Sequence, residues 1–212
     1  MPKADLQFRL IGKTLPVDHG YHLFSAIAEN LPEIHDNRDI GIHPVNGRFI
    51  GNRLLALTQR SRLSIRTPIE KIKPLLALSG KSLQLAGHNI RVGTPNTRAL
   101  IPAASLYSRL VIIKGFTEPE GFLAAVKRQL DDMDIKGKPS LIAQSHISEA
   151  NKGKGSGSRS PYLRRTLRIR DKEIVGFALR VEELSAEESI RLQEEGIGGR
   201  RRFGCGLFIP AR

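Results

Sequence analysis

Two hydrophobic periodicities alternate along this 212-residue chain, and their order restricts the fold more than any other feature of the sequence. In the first half, Leu6–Ile11 alternates apolar with polar residues, which predicts a strand, and Tyr21–Leu31 places its apolar residues at helical spacing. Leu63–Arg66 predicts a further strand, and the capping-box pattern Thr67–Glu70 predicts the start of a short helix. Ser82–Val92 predicts two short strand pieces. The first half is therefore expected to mix strands with two helices.

The second half shows a similar succession of patterns. Its helices are marked by capping boxes, and two of its strands are close enough to form a hairpin. The predicted elements are a strand at Tyr107–Lys114, a helix from Thr117–Glu120, a strand at Ser140–Gln144, a hairpin of Leu163–Arg170 with Glu173–Val181, a helix from Ser185–Glu188 to Gly196, and a final strand at Phe203–Ile209.

We interpret the order in both halves as strand, helix, strand, strand, helix, strand. That is the split β-α-β order of ferredoxin-like domains, a fold that also serves as an RNA-recognition motif. The sequence therefore predicts an α+β protein of two tandem ferredoxin-like domains that resemble the RNA-recognition motif. We expect the first domain at residues 1–102 and the second at residues 103–212.

The charge of the chain is strongly positive and unevenly distributed. Lys and Arg number 34 against 21 Asp and Glu, which leaves a formal net charge of +13. Residues 151–172 carry eight basic side chains and one acidic one, and residues 196–212 carry four arginines and no acid. Positive charge concentrated in short segments favours binding to a phosphate backbone, so we expect a nucleic-acid partner.

Several other classes of protein are disfavoured by composition. No apolar run approaches the roughly 20 residues of a membrane-spanning helix, and the N-terminal residues lack the apolar core of a signal peptide. The single cysteine, Cys205, cannot form an internal disulfide and fits a reducing compartment, so we expect a cytoplasmic protein without a membrane partner. Asp131, Asp132 and Asp134 are the one tight acidic cluster, and they lie at a helix end, whereas a two-metal nuclease needs carboxylates from separate strands. We expect no metal and no cofactor.

The most specific motif is the glycine-rich segment, residues 196–206, which holds five glycines and three consecutive arginines. Glycine allows the backbone to approach a ligand closely, and arginine supplies charge for an anion. The segment follows a helix and lacks the Lys-Ser/Thr of a P-loop, so it is not a nucleotide-binding loop of that kind. We expect RNA contacts from its glycines and arginines, namely Gly196, Gly198, Gly199, Arg200, Arg201, Arg202, Gly204 and Gly206.

The segment from Gly196 to Phe208 closely resembles the C-terminal glycine-rich loop of the CRISPR repeat-RNA endoribonucleases, the family called CRISPR-associated protein six. Leu15–Tyr21, leading into Leu23–Ile27, is similar to the segment that opens the first helix in that family, and Leu106–Val111 and Val175–Phe177 fit its compact cyanobacterial and myxobacterial branch. The resemblance covers most of the chain. It implies two ferredoxin-like domains, cleavage of precursor CRISPR RNA within each repeat, and no metal cofactor.

Cleavage of RNA without a metal requires a group that can move a proton near neutral pH, and histidine is the usual choice. In the resembled family the catalytic histidine commonly follows the first helix, a position that His35 matches. His43 is the second candidate, and His19 is a third that we expect mainly to brace the start of the helix. The expected chemistry is attack by the 2′-hydroxyl, which leaves a 2′,3′-cyclic phosphate and a 5′-hydroxyl.

The expected RNA surface lies in the second half. In the predicted strand Leu163–Arg170 the even-numbered positions carry three arginines on one face, at about the spacing of successive phosphates. The preceding loop is basic and rich in glycine and serine, so we expect it to contact RNA as well. The RNA-binding candidates of this region are Lys152, Lys154, Arg159, Arg164, Arg165, Arg168 and Arg170.

These observations predict a metal-independent endoribonuclease that binds a CRISPR repeat hairpin and cuts at its base, with no direct contact to DNA. Only 5% of the residues are aromatic, so recognition of backbone and shape is favoured over extensive base stacking. The alternative is a non-catalytic subunit that holds the guide RNA in a CRISPR effector complex, whose other subunits would then be its partners. The same fold can serve either function.

Overall fold

A computed structural model of the chain describes residues 1–37, 39–144 and 161–211. Its strands are β1 (Lys3–Gly12), β2 (Thr14–Pro16), β3 (Gly41–Ile42), β4 (Arg48–Phe49), β5 (Leu54–Ala56), β6 (Arg62–Pro68), β7 (Ser82–Leu85), β8 (His88–Ala99), β9 (Leu106–Val111), β10 (Lys138–Leu141), β11 (Arg164–Ile169), β12 (Lys172–Glu182) and β13 (Ile209–Pro210). Its α-helices are α1 (Gly20–Asn30), α2 (Ile72–Leu75), α3 (Pro119–Asp132) and α4 (Ala186–Glu195). Short 3₁₀ turns lie at Pro32–His35, Ile69–Lys71, Leu76–Leu78 and Arg201–Phe203.

The first half is built on a five-stranded sheet with the order β3-β6-β1-β8-β7. β1 lies in the middle and pairs antiparallel with β6 on one side and with β8 on the other. Leu6, Phe8 and Leu10 of β1 are buried in the same core cluster as Leu23 and Ile27 of α1. Each such side chain contributes about 1.5–3 kcal/mol when it is fully buried, so this contact fixes α1 on the sheet.

The second half has the arrangement of a ferredoxin-like domain. Its sheet runs β10-β12-β9-β13, and the chain passes in turn through β9, α3, β10, β12, α4 and β13. β11 is an additional strand that pairs antiparallel with the first part of β12. The core under this sheet joins Phe122 of α3 with Phe177 of β12, Leu192 of α4 and Phe208. The α+β class and the order of elements predicted for this half are confirmed.

The order strand, helix, strand, strand, helix, strand predicted for the first half is confirmed. Within the main sheet the chain passes in turn through β1, α1, β3, β6, α2 and the paired strands β7 and β8. The strand of this sheet that was not predicted is β3, in the segment between α1 and β6. That segment adds only the two-residue β3 to the main sheet, while β4 and β5 join β2 in a separate three-stranded sheet.

Two of the three predicted capping boxes are wrong. Thr67 remains in β6, paired with Ala4 of β1, so the sheet continues where a helix start was expected. α3 begins at Pro119 with Glu118 as its N-cap, and no side-chain cap is present there. The third box is confirmed, because the Ser185 side chain accepts a hydrogen bond from the Glu188 amide and the Glu188 carboxylate accepts one from the Ser185 amide.

The predicted final strand at Phe203–Ile209 is reduced to Ile209–Pro210. Arg201–Phe203 forms a 3₁₀ turn, and Gly204 and Gly206 have φ values of +86° and +66°. Backbone in this left-handed region cannot continue a strand, so the extended structure begins only after it.

A buried arginine of β6 connects the two halves. Arg66, which is 2% exposed, donates to Asp5 Oδ1 at 2.8 Å and to Asp5 Oδ2 at 3.0 Å within the first sheet. Its Nη1 also donates to the carbonyl oxygens of Gln193 at 2.9 Å and Phe208 at 2.7 Å in the second half. The buried guanidinium therefore connects the first sheet to α4 and to the residue that precedes β13.

Candidate nucleic-acid interface and catalytic site

The glycine-rich segment is held tightly against the second sheet. The Gly206 amide donates to the Leu110 carbonyl at 2.7 Å, and the Gly199 amide donates to the Ile112 carbonyl at 3.0 Å. Gly196 and Gly206 are buried with positive φ, and a Cβ atom on either would collide with a backbone carbonyl oxygen. Several of these glycines are thus required by the fold of the segment itself.

Of the remaining glycines, two are also constrained by the fold and one is not. Gly204 is buried with a φ of +86°, and Gly198, with a φ of +73°, donates its amide to Gln129 Oε1 at 2.8 Å. Gly199 is exposed, and a Cβ there would meet no atom within 4 Å. Gly199 and the neighbouring Arg200, which is also exposed, form the outer tip of the segment.

The three arginines of the segment have different environments. Arg200 adopts the left-handed conformation with a φ of +64° at the exposed tip. Arg201 donates to the carbonyl oxygen of Glu195 at the end of α4. Arg202 Nη1 donates to the His35 carbonyl oxygen at 2.6 Å, and its guanidinium lies 5.1 Å from the centre of the Phe24 ring. Arg202 therefore connects the glycine-rich segment to the turn that follows α1.

His35 lies at the end of the Pro32–His35 turn, and it is exposed. Its ring meets Phe24 edge to face, with 5.2 Å between centroids and an interplanar angle of 89°. Phe24 makes a second edge-to-face contact with Phe203 of the glycine-rich segment, also at 5.2 Å. The structure thus brings the first-choice histidine and the glycine-rich segment together, although 161 or more residues separate them in sequence.

His19 is buried at the N-cap of α1, where both ring nitrogens are occupied. Nδ1 donates to the Pro16 carbonyl at 2.7 Å, and Nε2 accepts from the Val45 amide at 2.8 Å. These two bonds require the neutral ring with its proton on Nδ1. Burial accordingly lowers the pKa of His19 to about 4, even though the Pro16 carbonyl favours the charged form. His19 braces the start of the helix, as its sequence position indicated.

His43 is placed beside the buried Arg66. Its side chain is 13% exposed, and Nε2 lies 3.5 Å from Asp5 Oδ1, which is long for a hydrogen bond. Burial lowers the pKa of His43, and the positive charge of Arg66 lowers it further, against the opposing effect of Asp5. This histidine belongs to the buried contact between the sheets.

Strand β11 shows the predicted alternation of faces. Arg164, Thr166 and Arg168 are exposed, and Leu167 is buried. Two of the arginines on the exposed face already have acidic partners: Arg164 Nη2 lies 3.4 Å from Glu118, and Arg168 Nη2 lies 3.1 Å from Glu173.

Arg170 differs from the prediction, because β11 ends at Ile169. Arg170 lies in the following turn with a φ of +52°, and its Nε donates to the Tyr21 hydroxyl at 3.3 Å. Arg165 points to the opposite face from Arg164 and lines a cavity between the two halves. The predicted loop residues Lys152, Lys154 and Arg159 lie outside the described residues.

That cavity, of about 430 Å³, contains two arginines that sequence reasoning did not select. Arg109 of β9 and Arg53 of the turn before β5 line it together with Arg165. Simple alternation would group Arg109 with Val111, which packs against α3, but a register shift in the pairing of β9 with β12 breaks that alternation, so the sequence pattern did not indicate Arg109. Nothing local in the sequence indicated Arg53.

The described residues contain neither a cluster of metal ligands nor a membrane-spanning helix. No group of three or more His, Cys, Asp or Glu side chains there is placed to hold a metal ion. No helix in the described ranges is long and apolar enough to cross a membrane.

Comparisons with known proteins agree with one another. A sequence model of the Cas6 family, described as Cas6 Crispr, matches residues 4–212. The CRISPR-associated endonuclease Cas6 of Myxococcus xanthus (strain DK1622) is 38% identical over 207 residues, which cover 98% of this chain and 81% of that protein.

Solved structures show the same fold at much lower sequence identity. A CRISPR-associated protein Cas6 superimposes with a TM-score of 0.66 at 12% identity, covering 99% of this chain and 100% of the other. A Cas6-related protein from Pyrococcus furiosus gives a TM-score of 0.65 at 13% identity, covering 97% of each chain. The fold is accordingly α+β with tandem ferredoxin-like domains. Since the family match extends over nearly the whole chain, this protein belongs to the Cas6 family.

Proposed function

We propose that this protein is a metal-independent endoribonuclease that binds the CRISPR repeat hairpin and cuts precursor CRISPR RNA within the repeat. Family membership and the Myxococcus endonuclease support the reaction class. The observation that carries the proposal is the cluster at the end of α1. There the exposed imidazole of His35 lies beside Phe24, and the His35 backbone carbonyl accepts a 2.6 Å hydrogen bond from Arg202 of the glycine-rich segment.

The proposed chemistry is an intramolecular transfer within the RNA. The 2′-oxygen next to the scissile phosphate attacks the phosphorus and loses its proton, while the bond from phosphorus to the 5′-oxygen breaks and that oxygen gains a proton. The products are a 2′,3′-cyclic phosphate and a 5′-hydroxyl. His35 is the group that we propose to transfer one of these protons, because its ring is open to a bound substrate.

Arg202 has two proposed effects on this step. Its hydrogen bond to the His35 carbonyl and its stacking on Phe24 fix the turn that carries the histidine. A guanidinium has five N–H donors, so the others are available to a phosphate as negative charge develops in the transition state. Arg202 is thereby a positioning residue for His35 and a source of positive charge beside it.

His19 and His43 are less suited to the reaction. The two nitrogens of His19 are engaged by the Pro16 carbonyl and the Val45 amide. A general acid or base must come within hydrogen-bond distance of the substrate, whereas Nε2 of His43 is buried and faces Asp5.

We further propose that the RNA follows the exposed face of β11 and the tip of the glycine-rich segment. Arg164 and Arg168 lie on that face, and Gly199 and Arg200 form that tip. When RNA binds, its phosphates would replace the carboxylates that pair with Arg164 and Arg168. The new hydrogen bonds would again join a guanidinium to an anion. The division into domains at residues 1–102 and 103–212 and a cytoplasmic location are proposals of the same standing.

Incubation of the purified protein with its repeat RNA in EDTA tests the function. We expect one cut within the repeat and a product that ends in a 2′,3′-cyclic phosphate, detected by mass spectrometry. Tight binding without cleavage would instead identify a non-catalytic subunit that holds guide RNA. Cleavage that appears only when a divalent ion is restored would refute the metal-independent mechanism.

A further inference from the structure

The cavity between the two halves has a composition that the hairpin contacts do not explain. Its walls come from the start of α1, from β9, β11 and β12, and from the glycine-rich segment. Leu110, Leu167, Val175 and Phe203 make one side apolar. A volume of about 430 Å³ is within the range of sites that enclose a small organic group.

The other side of the cavity is basic. Arg53, Arg109 and Arg165 line it, and among the described residues Asp18 is the one acidic side chain in the lining. Asp18 Oδ2 already accepts a hydrogen bond from the Arg168 amide at 3.1 Å. Arg164 is a fourth arginine of the lining, so the lining has a net positive charge near neutral pH even with His19 neutral.

Arg109 and Arg165 are close enough to repel each other. Burial lowers the pKa of the Arg109 guanidinium, and the charge of Arg165 lowers it further. The Nε atom of Arg165 is buried and has no hydrogen-bond partner among the described residues. A largely desolvated guanidinium beside a second one of like charge, whose buried Nε has no acceptor in the described part of the chain, is costly without an anion between them.

The fourth arginine of the lining is engaged elsewhere. Arg164 Nη2 lies 3.4 Å from Glu118 Oε1, and its guanidinium stacks on Phe177 at 5.3 Å. Arg109 and Arg165 are therefore the pair whose charge is directed at the cavity.

We propose that this cavity binds one unpaired nucleotide of the RNA next to the hairpin. The phosphate would bind Arg109 and Arg165, and the base would pack on Phe203 and the apolar wall. A paired base inside a stem cannot enter a cavity of this kind, whereas an unstacked base can. Phe203 also contacts Phe24, which contacts His35, so the nucleotide would lie two aromatic rings from the candidate catalytic group. This inference rests on the proposed function for the identity of the RNA.

The test measures affinity for two RNAs: the repeat hairpin with its unpaired flanks, and the same hairpin trimmed to the stem and loop. All proteins carry His35→Ala so that the RNA is not cut, and gels confirm that it stays intact. We expect Arg109→Gln/Arg165→Gln to weaken binding of the flanked RNA about tenfold or more, because two charged hydrogen bonds are lost. Binding of the trimmed hairpin should be unchanged, which also shows that the variant is folded.

The matched control is Arg91→Gln/Arg98→Gln, which removes two exposed arginines from β8, away from the cavity. It should affect the flanked and trimmed RNAs equally. If the cavity variant also weakens both RNAs equally, or weakens neither, the proposal is wrong. If no cleavage occurs in the EDTA assay, the proposed function is wrong. The comparison of the two affinities still tests whether the cavity binds an unpaired nucleotide.

A second measurement uses fluorescence in the unaltered cavity. With 2-aminopurine placed in the unpaired flank, stacking on Phe203 should quench the emission when the protein binds, and Phe203→Leu should remove the quenching. The same probe in the hairpin loop should not respond to that substitution. The proposal is overturned if the emission of the probe in the flank does not change on binding while adenosine monophosphate alone binds the protein. That result would mean that the cavity binds a free nucleotide.

Discussion

Among the histidines near α1, His35 differs from His19 in what its ring can reach. The nitrogens of His19 are bonded to backbone groups on two sides, while the ring of His35 touches Phe24 with its remaining surface open to solvent. A proton-transfer group has to contact the reacting atoms, so exposure at the RNA surface matters more than proximity in sequence.

The substitution His35→Ala is expected to lower the single-turnover cleavage rate by roughly 10²–10⁴-fold, the usual contribution of a general acid or base. Affinity for the repeat hairpin should change little, since only one side chain is removed from a large basic surface. His22→Ala is the matched control, because His22 is exposed on α1, the helix before the turn that carries His35, and this variant should cut at nearly the normal rate. If His43→Ala is the damaging change, His35 is not the catalytic group.

The buried His19 predicts a loss of stability in mild acid. Its pKa of about 4 in the folded protein lies below the ordinary histidine pKa of 6.5, so the unfolded chain binds the extra proton first. Stability is full above pH 6.5 and falls as the pH drops from 6.5 towards 4, by about 2–3 kcal/mol from this group. Urea unfolding at pH 7.5 and 4.5 should show a smaller difference for His19→Gln than for the wild type. An identical difference in both proteins would contradict this account of His19.

The glycine-rich segment contains glycines that cannot carry a side chain in this fold and one glycine, Gly199, that can. Gly206→Ala is expected to lower the free energy of unfolding by about 2 kcal/mol or more, because Cβ would clash with the Ile197 carbonyl at a φ of +66°. Gly199→Ala should change stability by less than about 0.5 kcal/mol, because a Cβ there meets no atom within 4 Å. Denaturant titrations of the two variants give the comparison, and equal losses would mean that the segment is not anchored as described.

Elements with strong local patterns could be predicted from the sequence. The alternation in β11 and the capping box of α4 are set by neighbouring residues, and both are found in the structure. The predictions for Thr67 and for the segment from Phe203 to Phe208 were wrong because the structure at both places depends on partners that are distant in the sequence. β1 continues to pair with β6 through Thr67, and contacts with Leu110 and Ile112 hold the glycine-rich segment out of a strand.

At the scale of the whole molecule, the two halves are held together by groups far apart in the chain. Arg66 bonds to Asp5 and to backbone carbonyls at Gln193 and Phe208, contacts that span 61 to 142 residues of sequence. The cavity beside this junction combines Arg53 of the first half with Arg109 and Arg165 of the second. Sequence reasoning places residues on the faces of single elements, so a site formed between two sheets could not be located until their packing was known.

In the proposed mechanism, the 2′-hydroxyl of the RNA attacks the neighbouring phosphate at a site formed by His35 and the glycine-rich segment. The most direct test is single-turnover cleavage, in EDTA, of a repeat RNA that carries one 2′-deoxynucleotide immediately before the cut. We expect this RNA to bind with normal affinity and to remain uncut, while the same substitution one nucleotide away has little effect. Undiminished cutting of the deoxy substrate would contradict the mechanism.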